Sequence, residues 1–116
     1  MLTLLFAAAS LAQAEPADLR IELSGSGSWE VSCTVQRPQG ERVVSERGRG
    51  LSHFETLRVS DAVSAACSVE APERAQVLVR IAEADGFACP FDPASEIGDC
   101  QRTFVGPASE TFDLQP

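Results

Sequence analysis

The stretch SGSGSWEVSCTVQ, residues 24–36, decides the fold. Its first half is small and flexible; its second half alternates, with Trp29, Val31, Cys33 and Val35 set against Glu30, Ser32, Thr34 and Gln36. Apolar residues at every second position describe a strand with one buried face, because successive side chains of an extended chain point to opposite sides. The Ser-Gly run reads as the loop that enters this strand.

The same alternation recurs in both directions. Leu19, Ile21 and Leu23 precede the stretch; Ala65, Cys67 and Val69 follow it, then Val77, Val79 and Ile81, and finally Phe112 and Leu114. Turn-forming residues punctuate these runs at intervals of about ten residues: Pro38-Gln39-Gly40, Gly48-Arg49-Gly50, Ser60-Asp61, Ala71-Pro72-Glu73, Asp85-Gly86 and Gly106-Pro107. No segment after residue 14 carries helical spacing with caps. The pattern predicts an all-β fold, a small antiparallel β-sandwich of roughly seven to eight strands. Pro38, Gln39 and Gly40 read as a hairpin loop joining residues 29–36 to residues 41–46. Charges at Glu41, Arg42, Glu46, Arg47 and Arg49 place the second of those strands at a sheet edge, where charge resists further pairing.

Residues 1–14, MLTLLFAAASLAQA, hold an apolar run ending in Ala12-Gln13-Ala14, the small-x-small pattern that signal peptidase accepts. A signal peptide over 1–14 and a single domain over 15–116 are expected. The run is shorter than the roughly 20 residues of a membrane-spanning helix, so no integral membrane segment is expected in the mature form. Seventeen acidic residues against nine basic ones give a net charge of −8. Such a surface repels phosphate backbones and anionic lipid, which argues against a nucleic-acid partner and is compatible with a basic one. All nine basic residues are Arg, and Lys, Asn and Tyr are absent; an arginine-based recognition surface is one reading, but a GC-rich genome is the favoured one, and with the short leader it points to an expected bacterial source.

Four Cys behind a secretory leader imply disulfides and a periplasmic or secreted location. Cys33 and Cys67 share an alternating apolar environment, whereas Cys89 and Cys100 bracket a loop rich in Pro, Gly and acids. Like environments suggest the pairs Cys33–Cys67 and Cys89–Cys100, worth roughly 4 and 3 kcal/mol as chain-entropy constraints. No C-x-x-C spacing supports metal binding instead. An inward Trp29 beside an inward Cys33 is similar to the immunoglobulin-like sandwich, where a disulfide between sheets packs against Trp. On that likeness Cys67 meets Cys33 from the opposing sheet. Two features depart from the antibody pattern: Trp29 lies on the strand of the first Cys, and no Tyr exists for a tyrosine corner.

Gly-Ser-Trp-Glu-Val-Ser-Cys, residues 27–33, resembles the opening strand of invasion-associated locus B proteins, secreted all-β proteins of alphaproteobacteria. Residues 24–29 look like the Ser-Gly-rich loop of periplasmic inhibitors of C-type lysozyme. Beyond residues 27–33 the Cys spacing does not follow the first family, and in the second the loop lies after the Cys-bearing first strand and ends in Tyr, so no family is assigned from them.

His53 is the sole His, so multi-histidine metal sites are excluded, and Gly50-Leu51-Ser52-His53 lacks a nucleophile elbow. A solvated strand-end residue is expected there. Within residues 89–100, Asp92, Ser95, Glu96 and Asp99 offer oxygens to a hard cation, but without EF-hand spacing. The segment reads as a solvated acidic loop held by its disulfide, with Phe87 and Phe91 as anchors or as contacts for a partner. Arg47-Gly48-Arg49-Gly50 reads as a turn rather than an RNA-binding repeat. No catalytic residue, cofactor or metal ligand is nominated; the site residues are the disulfide cysteines Cys33, Cys67, Cys89 and Cys100. The expected function is that of a non-enzymatic binding module for a protein or envelope component, a hydrolase inhibitor being one version. A structural or stress-related envelope protein is the alternative, and a small hydrolase comes third.

Overall fold

The computed structural model describes residues 15–91 and 100–116; the signal-peptide expectation and Asp92, Ser95, Glu96 and Asp99 lie outside them. Eight strands follow in chain order: β1 (Ala17–Ser26), β2 (Glu30–Gln36), β3 (Arg42–Arg47), β4 (His53–Ala62), β5 (Ser64–Ala71), β6 (Gln76–Ala84), β7 (Cys100–Val105) and β8 (Ala108–Leu114). They form two antiparallel four-stranded sheets, in the orders β4-β1-β6-β7 and β3-β2-β5-β8. Only the β2–β3 and β6–β7 connections stay within one sheet; every other connection crosses to the opposite sheet. The all-β sandwich expected from the alternation is therefore the observed architecture, and no helix occurs among the described residues.

Alternation sets which residues meet between the sheets. Leu19, Ile21 and Leu23 of β1 and Val77 and Val79 of β6 are buried from one side; Val31, Cys33 and Val35 of β2, Ala65, Cys67 and Val69 of β5, and Phe112 and Leu114 of β8 are buried from the other. Among the described residues no polar or charged residue is buried, and the one buried side-chain nitrogen or oxygen left without a hydrogen bond is the indole Nε1 of Trp29. Pro38-Gln39-Gly40 makes the β2–β3 hairpin, where Gly40 N donates to Arg37 O over 3.0 Å, and β3 is an edge strand as its charges indicate.

Three local readings need correction. The Ser-Gly run is mostly strand: β1 continues through Ser24, Gly25 and Ser26, and only Gly27, Ser28 and Trp29 connect it to β2. Gly25 tolerates no side chain, since a Cβ there would overlap the backbone of Gln76 on the neighbouring strand. Ser60-Asp61 is a bulge rather than a turn. Ala17 and Leu19 of β1 pair with Ala62 and Val59 of β4, so three steps on β4 answer two on β1, and Asp61 takes a left-handed φ of 61°. The bulge restores the inward phase at Ala62, and the chain then crosses to the other sheet through Val63 alone, whose N donates to Gln36 O over 2.7 Å.

The third correction concerns the first disulfide. Cys33–Cys67 and Cys89–Cys100 both form. Cys33 and Cys67, however, are register partners on adjacent strands β2 and β5, with Cα atoms 4.0 Å apart. The bond thus clamps one sheet from its inner face and does not tie the two sheets together. The immunoglobulin likeness does not extend to connectivity either. In the constant-type immunoglobulin order the first two strands are neighbours, whereas β1 and β2 here lie in opposite sheets.

Candidate binding face on the outer side of the β4-β1-β6-β7 sheet

The residues singled out by sequence are scattered. Phe91 is an anchor: it is buried, with its ring edge-on to Phe104 at 6.1 Å and to Phe112 at 5.0 Å between centroids. Phe87 is half-buried and packs on the same core. Phe91 therefore offers no open contact face, whereas Phe87 lines a surface depression with Ile81, Ala84 and Leu114. His53 begins β4 as expected, and its side chain is 25% exposed, partly rather than fully solvated. Its Nε2 lies 2.7 Å from Glu55 Oε2, and its ring meets the Trp29 indole at 6.0 Å and 70°. Arg47 closes β3 on Glu30 at 3.5 Å, and Gly48, Arg49 and Gly50 lie in the β3–β4 connection, as a turn should. Among the described residues, no three His, Cys, Asp or Glu side chains gather as metal ligands would.

What the fold does assemble is a graded outer face on the β4-β1-β6-β7 sheet. Register places side chains in rows across the strands. The first row runs Arg58, Arg20 and Glu83 across β4, β1 and β6. The second runs Thr56, Glu22, Arg80 and Gln101, and is held by Arg80 Nη1 donating to Glu22 Oε1 at 2.6 Å. The third runs Phe54, Ser24, Leu78 and Thr103, and beyond it Ser26, Gln76 and Val105 complete the face. Charge therefore occupies one end of the sheet and apolar and small side chains the other.

The apolar end has the features of a contact surface. Phe54 is 60% exposed, Val105 62% and Leu51 95%, although each is a side chain that gains from burial. A depression of about 420 Å³ on this face is lined by Ser24, Ser26, Leu51, Gln76, Leu78 and Thr103. Small hydroxyl side chains on the central strand β1 create the hollow because they cannot fill the space between larger neighbours. Sequence reasoning passed over this face, since its members come from four strands and alternation marks only the inward positions. No protein-family model matches the chain, and neither does any curated protein or solved structure.

Proposed function

We propose that the chain is a non-enzymatic binding module, working in the periplasm or outside the cell, that engages a protein or envelope component through the apolar end of the β4-β1-β6-β7 sheet. The observation that carries the reading is that Leu51 and Leu78 line the Ser24–Ser26 hollow, while the exposed Phe54 and Val105 are the register partners of two further lining residues, Ser24 and Gln76. Apolar side chains gathered on an outer face, rimmed by polar ones, mark interaction sites more often than random exposure does. Two disulfides fit an oxidising compartment and supply the rigidity that keeps such a face preformed. The acidic surface favours a partner of basic character.

The test is matched capture from an envelope extract of the source organism on the immobilised protein and on the Leu51→Ser/Phe54→Ser variant. Both positions are exposed, so the variant is expected to keep its fold. A species retained by the first and released by the second supports the reading. Equal retention by both would leave this face without a role and favour the purely structural alternative.

A further inference from the structure

At the opposite end of the same face, three of the nine arginines converge. Arg58 and Arg20 are register partners on adjacent strands β4 and β1, and β3 of the other sheet runs alongside β4 and brings in Arg42. Together with Asp18, Ser60 and Glu83 they line a cleft of about 320 Å³. Like charges placed directly opposite on neighbouring strands are destabilising, and here they recur in a chain with a carboxylate excess available to neutralise them. Arg20 is in fact tied down, 3.2 Å from Glu22 and 3.9 Å from Glu83. Arg42 and Arg58 are not: among the described residues neither makes an ion pair or a side-chain hydrogen bond, and Glu46 in the adjoining depression pairs with neither.

We propose that this cleft is a binding site for a small oxyanion, a carboxylate or phosphoryl group held between the guanidinium groups of Arg42 and Arg58 above the fixed Arg20. Guanidinium is a planar fork with paired N–H donors, which suits the two oxygens of such a group. Counting Glu22, which holds Arg20 from outside the lining, three guanidinium groups face three carboxylates, so what the cleft offers an anion is the two guanidinium groups that pair with none of them, those of Arg42 and Arg58. Arg20, anchored by its two acids, is the preorganised floor; Arg42 and Arg58, on different sheets, are the arms. The Ser60 hydroxyl adds a further donor at the rim. This site is separate from the apolar end of the face and does not depend on a partner binding there.

The experiment is a titration of isotope-labelled protein with inorganic phosphate and, separately, with succinate, at constant ionic strength, followed through the Arg side-chain resonances. Saturable shifts at Arg42 and Arg58 are expected, with a dissociation constant in the millimolar range. The stronger of the two probes assigns the class, phosphoryl or carboxylate. Arg42→Gln/Arg58→Gln, at exposed positions, is expected to weaken binding at least about tenfold, the loss of charge-assisted hydrogen bonds. Arg49→Gln, which removes a positive charge from the β3–β4 connection, is expected to leave it unchanged. Linear, unsaturated shifts with both probes would overturn the proposal. So would an equal loss in Arg49→Gln, because binding would then follow net charge rather than this cleft.

Discussion

Gly48 lies flat against the indole of Trp29, buried and without room for a single methyl group, while its N–H donates to the Trp29 carbonyl over 2.9 Å. The contact ties the exit of β3 to the entry of β2 and closes one end of the core. A Cβ on Gly48 would overlap the ring itself, so Gly48→Ala must displace a large buried side chain. The expected cost is roughly 1–3 kcal/mol, the range for overpacking a filled site. Denaturant unfolding at unchanged slope checks it.

Trp29 is 1% exposed, and its Nε1 has no hydrogen-bond partner among the described residues. The residue therefore contributes through volume and area, not through its polar atom. Trp29→Phe is expected to cost only about 1–2 kcal/mol, the area of the lost second ring. Trp29→Ala is expected to cost roughly 3–5 kcal/mol. Equal losses for the two substitutions would show that the indole N–H is engaged after all.

Asp61 holds its left-handed φ of 61° in the bulge that brings Ala62 back into the core. Asp61→Gly is expected to be close to neutral, because Gly takes this conformation without steric cost. Asp61→Val is expected to lose about 1–2 kcal/mol, the penalty of that conformation for an L residue with a bulky Cβ. Thermal unfolding of the pair separates the backbone effect from any role of the carboxylate.

The two disulfides differ in exposure and in what they close. Cys33 and Cys67 are 1% and 2% exposed and 34 residues apart, whereas Cys89 and Cys100 are half-buried and 11 apart. Replacing the first pair with Ala removes the longer crosslink and opens a void, for an expected loss of roughly 2–5 kcal/mol. Replacing the second pair is expected to leave both sheets assembled. Under partial reduction of the native protein, mass mapping is expected to find Cys89–Cys100 opened first.

Much of this fold is legible in the sequence because strand alternation reports directly on burial. The inward sets of β1, β2, β5, β6 and β8 follow from it, while the turn residues Pro38-Gln39-Gly40 mark the β2–β3 hairpin, the charges of β3 mark its edge position, and like environments pair the cysteines. Where the reading fails, period 2 carries no information. Alternation says that Cys33 and Cys67 face inward, yet a neighbour in the same sheet and a partner across the core satisfy that condition equally. In β4 the bulge at Asp61 breaks the phase, and in β7 the described residues bury only Phe104. The candidate face is hidden for a further reason. Phe54, Ser24, Leu78 and Thr103 become neighbours only through the order β4-β1-β6-β7, which no local pattern encodes.

The central claim, that the apolar end of the β4-β1-β6-β7 sheet is a contact surface, is tested most directly by site-specific photo-crosslinking in cells of the source organism. A photo-reactive phenylalanine analogue would be placed at Phe54, with Ser68, on the outer side of the β3-β2-β5-β8 sheet, as the control position. A discrete crosslinked species from Phe54, absent from Ser68, is the expected result. Crosslinks from Ser68 but not from Phe54, or none from either, would contradict the account.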